Sequence, residues 1–530
     1  MDDDRISSLP EHVKHHILSF IPDIKEVART SSLSKSWLRT WRSFQITDFK
    51  PWLIIPREAI LDIIKTGQGN EYSERFVRLV DDALTRSRDG MPRLRLYVTF
   101  DMIPHVERWV DLALDYRVEE LIVEILHNYL DKYQCPVPAR VFSANFIKSL
   151  TLDGGIKVDG ISAVRLPSLR SLQLWSANIN EEMFRRLIGG CPVLEDLSVF
   201  CCYPLSEIEV SNLNYLKRAR LGTGLPDFKF VRIKAPGLER FEFWYNAAVE
   251  QSAGLVVEVL CRTLTCLKLT SIHKSDEWFC HFLSKFPLLE SLTLDGFGSL
   301  KRIRISNPLL KKISIESCYH LEDLRIDTPK LLSFYYNIYY GLGDRTLPFI
   351  WTENTPYSSA VGFRISFSWD PPELWLEGLQ KFLTGWSATF RCLESTVCLC
   401  ESGERIEEDK KNLASAAPGI QYMNFTSKAS QSINFLILDC LFRTCQPRSV
   451  VLRVPYPLVK LICEAFAAKV GYPDYPDCCS GAGGFFCFCH RLKDAKIEWV
   501  EGYHHGGPLD WSTMCSLLRI EVWIRAEWWD

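Results

Sequence analysis

Residues 289–326 read "LESLTLDGFGSLKRIRISNPLLKKISIESCYHLEDLRI". Apolar triplets follow one another along this stretch: Leu289/Leu292/Leu294, Leu300/Ile303/Ile305, Leu310/Ile313/Ile315 and Leu321/Leu324/Ile326. The last two members of each triplet are two residues apart, so on a strand they point to one side and their neighbours point to the other. Such a strand buries one side only. A unit of this kind cannot cover that side by itself, and stacking units in sequence makes a continuous core.

The pattern extends in both directions. Upstream stand Val118/Leu121/Val123, Ile147/Leu150/Leu152, Leu169/Leu172/Leu174, Leu194/Leu197/Val199, Leu216/Ala219/Leu221, Leu238/Phe241/Phe243 and Leu264/Leu267/Leu269; downstream stands Leu331/Phe334/Tyr336. From Ile147 to Leu289 the triplets start 22 to 26 residues apart, within the range of leucine-rich repeats. From Leu289 onward they start 10 or 11 apart, and half-steps occur earlier at Leu205/Ile208/Val210 and Phe228/Val231/Ile233. The expected fold is α/β: a leucine-rich-repeat solenoid with a curved parallel sheet, over about residues 91–340. The longer units have room for an outer helix, for instance Asn180 to Ile188, whereas the short ones have room for a turn and predict a thin outer wall. Two amphipathic segments, "YSERFVRLVDDALTRSR" (72–88) and "PHVERWVDLALDY" (104–116), read as helices of irregular first units that seal the N-terminal end.

The residues that alternate with the inward triplets form the second face. Trp175, Phe200, Arg218, Arg220, Arg232, Trp244, Lys268, Arg302 and Arg304 stand out among them, because aromatics and arginines dominate binding hot spots. Taken singly, each reads as solvated sheet surface. Taken together, they read as a protein-recognition face, and the arginines predict a partner with some acidic character.

The first 46 residues have a different period. Val13, Ile17, Phe20 and Ile21 share one helical face, Pro10 suits a first turn, Pro22 stops the helix, and Ser34 is placed to cap a further helix carrying Trp37 and Trp41. Three short helices hold more apolar side chains than so small a unit buries alone. The run "ISSLPEHVKHHILSFIP" followed by "VARTSSLSKSWLRTW" resembles the F-box of the plant F-box/leucine-rich-repeat family, including its FBD-associated members. Leu9-Pro10, the Ile17–Pro22 run, Leu33-Ser34-Lys35, Trp37 and Trp41 carry the likeness. Ser36 and Leu38 stand where many members have arginines, and Lys14 and His15 are unusual; these departures are expected to face solvent. The resemblance implies an all-α three-helix F-box that docks a Skp-type adaptor, and through it a cullin and a RING protein. It assigns that contact to Leu9, Pro10, Val13, Ile17, Leu18, Ile21, Val27, Leu33 and Trp37, while Trp37 and Ile21 also fit an internal core.

The remaining organisation follows from composition. Residues 47–90 read as a linker with an N-terminal capping helix, and 341–530 as irregular C-terminal repeats and a cap of the FBD-like kind. There "RSVVLRV", "LKDAKIEWV" and "LLRIEVWIRAEWW" read as strands, and "ELWLEGLQKFL", "SQSINFLILDCLF" and "PLVKLICEAFAAKV" as helices. The net charge of −3 gives no general attraction to nucleic acid or to an anionic membrane. No apolar run reaches the roughly 20 residues that span a bilayer. Nineteen cysteines, an odd and scattered set, fit a reducing compartment, cytoplasm or nucleus. Cys478, Cys479, Cys487, Cys489 and His490 have the atoms of a zinc site but not its spacing, so no metal and no cofactor is expected. No nucleophile–base or phosphate-loop motif is found. The function expected is that of the non-catalytic substrate-recognition subunit of a Skp–cullin–F-box ubiquitin ligase. The alternatives are an adaptor-bound scaffold and a small-molecule-gated receptor of the hormone-receptor type.

Overall fold

The computed structural model describes residues 6–21, 24–44, 46–86, 91–126, 135–158, 163–246, 254–340, 349–354, 359–367, 390–399, 421–427, 438, 441–442, 446–454, 492–499 and 520–528. The N-terminal helices are α1 (Glu11–Ser19), α2 (Ile24–Arg29) and α3 (Lys35–Ser43). Ser34 caps α3, its hydroxyl accepting from the Trp37 N–H at 3.2 Å. Leu18, Val27 and Trp37 form the core of this module, with Ile21, Trp41 and Phe44 packed around them.

Residues 47–90 are more than a linker. They hold β1 (Asp48–Phe49), α4 (Arg57–Thr66) and α5 (Glu71–Arg86), and β1 pairs in parallel with β2 (Arg93–Val98). The sheet therefore starts ahead of the first legible triplet, because a two-residue strand leaves no periodic trace. In the first compact unit, residues 1–238 with 254–261, the main sheet continues from β2 through β3 (Glu120–Ile125), β5 (Ser149–Asp153), β7 (Ser171–Trp175) and β9 (Asp196–Phe200) to β12 (Arg218–Thr223). All neighbours are parallel, and the triplet residues pair rank on rank: Leu121, Leu150, Leu172, Leu197 and Ala219 lie in one register and are fully buried. The coils return through α6 (Ile103–Asp115), through short strands β4 (Cys135–Pro136), β6 (Ile156–Lys157), β8 (Asn178–Ile179) and β10 (Tyr203–Pro204), and through α7 (Glu181–Gly189). α6, expected in a sealing unit, is the return limb of a full coil between β2 and β3. Asn180 caps α7, accepting from the Met183 N–H at 2.9 Å.

In the second unit, residues 239–253 with 262–530, the main sheet is again parallel. It runs β14 (Arg240–Tyr245), β16 (Cys266–Thr270), β17 (Ser291–Asp295), β19 (Lys312–Glu316), β21 (Ser333–Tyr340), β23 (Ser359–Phe367), β24 (Phe390–Leu399), β25 (Tyr422–Ser427) and β26 (Ser449–Val454). It finishes with an antiparallel turn of topology: β28 (Ile520–Trp528) lies between β26 and β27 (Leu492–Trp499). The three C-terminal strands read from sequence are present. Of the three helices read there, Leu438, Leu441 and Phe442 are helical and the rest lies outside the described residues, as does the Cys478–His490 cluster.

The halved period has a different meaning from the one expected. β17, β19 and β21 pair at offsets of 21 residues, Ser291 with Lys312 and Lys312 with Ser333. The intervening triplets form a second parallel sheet, β18 (Arg302–Ser306), β20 (Asp323–Asp327) and β22 (Phe349–Glu353), in which Arg302 also pairs with a residue 21 further on, Asp323. Each coil is thus a full lap carrying one strand in each sheet. The second strand takes the place of the outer helix that an earlier lap carries as α8 (Asp276–Leu283), and α8 packs beside β18. The half-steps in the first unit have the same cause, giving β11 (Glu207–Ser211), β13 (Phe230–Lys234) and β15 (Val256–Val259). A strand of five residues, like a helix, shields one side of a lap, so the return limb is a walled sheet rather than a bare turn.

One turn recurs where main-sheet strands end. Gly154, Ser176, Cys201, Ser271, Gly296 and Ser317 each follow a strand directly and have φ between 51° and 92°. Their N–H groups donate to the carbonyl at the same rank of the next strand: Gly154 to Trp175 (3.0 Å), Ser176 to Phe200 (2.8 Å), Ser271 to Asp295 (2.7 Å). This left-handed step ends each strand at the same rank and turns the chain into its return limb.

Candidate functional site

Two surfaces are candidates. The first is on the helical module. With Leu18, Val27 and Trp37 filling its centre at 1–4% exposure, other apolar side chains have no place inside: Phe20 is 73% exposed, Leu33 67%, Ile6 59% and Ile17 37%. Pro10, Ile17 and Phe20 recur on one side of α1, with Val13 half-buried among them and Leu9 half-buried ahead of them. This corrects the expected contact set. Leu18, Val27 and Trp37 are the module's own core and do not face a partner, and Ile21 packs against that core. Phe20 was left out of the set although its spacing from Ile17 placed it on the same side.

The expected solvent-facing departures are also corrected. Lys14 is 4% exposed, and its ammonium donates to the Ser7 carbonyl at 2.6 Å and to Ser36 Oγ at 2.5 Å. It lies 5.9 Å over the Trp37 ring. Ser36 in turn donates to the Ser7 carbonyl at 3.1 Å, and Ser7 Oγ lies 2.9 Å from Ser34 Oγ. The short Ser36 thus makes room for a lysine on the facing helix. His15 makes a parallel tie, Nε2 lying 3.0 Å from Ser43 Oγ and 3.2 Å from the Thr40 carbonyl. These two residues pin α1 to α3 from inside and leave the Phe20 side free.

The second surface is the outward face of the main sheets, and it differs from the expectation in two ways. Arg232 is on β13 and Arg302 and Arg304 on β18, so these three belong to the second sheets. Trp175, Phe200, Arg218 and Arg220 share the first unit's main sheet, and Trp244 and Lys268 the second unit's. Moreover, the arginines are paired with carboxylates of neighbouring laps, Arg218 and Arg220 sharing one. Arg218 donates to Asp196 at 2.9 Å with Arg220 3.9 Å away from the same carboxylate. Arg232 pairs with Glu258 (2.6 Å) and Glu209 (3.6 Å), Arg302 with Glu322 (3.2 Å), and Arg304 with Glu353 (3.1 Å) and Asp327 (3.4 Å). Glu209, Arg232 and Glu258 stand in register, so charge alternates there between strands about 4.8 Å apart, whereas Arg304 meets Arg325 in register and bonds Asp327 and Glu353 instead. The arginine set is held in cross-strand pairs, which reduces the charge it offers an acidic partner. The aromatics are different. Trp175 is 38% exposed and its ring lies 4.5 Å from that of Phe200, centroid to centroid.

An open cleft of about 400 Å³ at the start of the first unit's strands is lined by Thr47, Pro92, Arg93, Glu119, Glu120, Lys148 and Ser149. Arg93 is bonded to Glu120 at 2.6 Å and Lys148 to Glu119 at 2.7 Å, so the cleft offers a small anion no uncommitted cation. Among the described residues no group of histidine, cysteine and carboxylate side chains could hold a metal, and no helix is long and apolar enough to cross a membrane.

Comparison with known proteins matches these two surfaces to two domains. The F-box domain model covers residues 6–49, and the model of the leucine-rich repeats of the FBD-associated F-box protein At5g56370 covers residues 106–262. The chain carries an F-box and FBD-associated leucine-rich repeats. Both are binding modules rather than catalytic ones. The F-box/LRR-repeat protein At3g58930 of Arabidopsis thaliana is 32% identical over 247 residues, 44% of this chain and 50% of that protein. F-box/LRR-repeat protein 25 of the same plant is 28% identical over 225 residues, 41% of this chain and 76% of that one. The FBD-associated F-box protein At4g10400 is 30% identical over 205 residues, 37% and 45% of the two. The chain thus spans about half the length of the first of these relatives. The F-box match coincides with the helical module and its exposed apolar side. The repeat match coincides with the laps that carry Trp175, Phe200, Arg218 and Arg220.

Proposed function

We propose that this chain is the substrate-recognition subunit of a Skp–cullin–F-box ubiquitin ligase. The F-box holds a Skp-type adaptor, and the repeats hold a target protein. The observation that carries the reading is Phe20 and Leu33, two large apolar side chains at 73% and 67% exposure on a module whose core is already full. Exposed apolar surface of this kind marks a partner site, and the F-box match says which partner chemistry to expect. Pro10, Ile17, Phe20 and Leu33 make the contact, with Leu9 and Val13 at its margin. The adaptor brings cullin and RING protein, and ubiquitin transfer is promoted by proximity, since a tethered target sees the charged enzyme at high effective concentration. No bond is made or broken by this chain.

Buried free thiols at Cys135, Cys191, Cys202 and Cys318, which burial pushes up to about 12, serve as small apolar side chains and favour a reducing compartment, cytoplasm or nucleus. The test is capture of a purified Skp-type adaptor by the full chain, by the chain lacking residues 1–46, and by Phe20→Asp/Leu33→Asp. Capture by the full chain alone supports the reading, and equal capture by the double variant overturns it. Ligase-dependent loss of a repeat-bound protein separates a substrate receptor from an adaptor-bound scaffold.

A further inference from the structure

The outward residues of the first unit's main sheet form three rows across the strands. The first row runs Arg93, Glu120, Ser149, Ser171, Asp196, Arg218, and the second Arg95, Ile122, Thr151, Gln173, Ser198, Arg220. Their four arginines share two carboxylates, Arg93 and Arg95 on Glu120 and Arg218 and Arg220 on Asp196, so each carboxylate of these rows is already engaged within the sheet. The third row, at the strand ends, runs Tyr97, Glu124, Asp153, Trp175, Phe200, Gly222. It contains no lysine or arginine.

Asp153 is the residue in that row with a cost attached. It is half-buried and, among the described residues, makes no ion pair. Burial pushes its carboxyl up to about 6. In register beside it stand Trp175, partly exposed, and Phe200, with their rings 4.5 Å apart. A desolvated carboxylate beside an exposed aromatic pair is the complement of one kind of side chain: a cation on an apolar stem. The corresponding row of the second unit, taken by itself, repeats the chemistry. It runs Trp244, Thr270, Asp295, Glu316, Asn337, with Arg364 next in register. Asp295 and Glu316 are neighbours there, so like charges meet on adjacent strands.

We infer that the third row receives a basic segment of the target, an arginine or lysine whose charge meets Asp153 and whose stem and apolar neighbour lie across Trp175 and Phe200. This rests on the repeats being the target-binding part, and it replaces the acidic partner that the bare arginine count pointed to. Arginine is favoured over lysine, because a planar guanidinium both bonds a carboxylate and stacks on a ring.

The test uses the full chain and two immobilised pools of short peptides with the same uncharged random background, one carrying a fixed Arg-Leu step and the other Glu-Leu. The full chain is expected to be retained at least about tenfold more by the Arg-Leu pool. Asp153→Asn, which keeps the shape and removes the charge, is expected to abolish that preference, Trp175→Ala to weaken retention by the Arg-Leu pool, and Glu322→Gln on the second unit's second sheet to leave it intact. Thermal unfolding of each variant shows that the fold survives. Retention by neither pool, equal retention by both, or a preference that survives Asp153→Asn overturns the inference. Adaptor capture is scored in the same samples: a chain that keeps the Arg-Leu preference but not the adaptor refutes the ligase reading and leaves this one standing, and the reverse result does the opposite.

Discussion

Gly154 and Asp153 are adjacent, and both show what a single residue is asked to do at the strand ends. Gly154 has φ +92°, and a Cβ there would run into the Ile125 carbonyl. Gly154→Ala is therefore expected to lower stability by about 2 kcal/mol or more, combining left-handed strain with a backbone clash, which a shift in the urea midpoint would measure. Ser176 and Cys201 tolerate the same turn at smaller φ, 51° and 52°. For Asp153 the sign is worked out from its carboxyl, raised from 3.8 to about 6 by burial. The folded chain takes up a proton there more readily than the unfolded one, so the ionised form opposes folding above pH 6. The penalty, on the order of 1 kcal/mol once solvent screening is allowed for, fades as pH falls from 6 towards 3.8 and is absent below. Asp153→Asn is expected to stabilise the protein at neutral pH and to be neutral at about pH 4. Thermal unfolding at the two pH values decides it.

At the level of elements, legibility tracks period. The triplets at Leu150/Leu152 or Leu292/Leu294 announce strands because alternation and burial coincide, and the cap at Ser34 is readable because a serine stands where orphan N–H groups need an acceptor. The second sheets were not readable as such. β18 and β20 have the same local alternation as β17 and β19, and only pairing at 21 residues tells the two sets apart. The arginines of β12, β13 and β18 were visible, but their carboxylate partners lie one lap away in sequence, 22 residues for Arg218–Asp196 and 26 for Arg232–Glu258. Within the F-box, Leu18 and Phe20 are alike in composition, and side alone makes one core and the other surface. Lys14 was misread for the same reason. Lys14→Met keeps the apolar stem but removes the two hydrogen bonds of the ammonium, to the Ser7 carbonyl and Ser36 Oγ; it is expected to cost about 1–3 kcal/mol. Chemical denaturation followed by Trp37 fluorescence reads it.

For the molecule as a whole, the lap is the unit of length. Removing residues 302–322 takes out one lap and brings Asp323 to the register of Arg302, so both sheets stay in phase. Removing 302–311 takes out half a lap and offers a main-sheet strand to the second sheet. The 21-residue deletion is expected to elute with the oligomeric state of the full chain and to unfold cooperatively, with stability lowered by the lost interfaces, whereas the half-lap deletion is expected to aggregate. Size-exclusion chromatography with thermal unfolding distinguishes them.

The place of β28 between β26 and β27 bears on how the molecule is made. As the polypeptide leaves the ribosome, β26 and β27 both emerge before the strand that joins them, so each waits with an unpaired edge until residues 520–528 arrive. A premature stop between Trp499 and Ile520 would leave those edges permanently open, an invitation to stick to other nascent chains. β28 is thus the seal, and its late arrival gives quality control a physical signal to read.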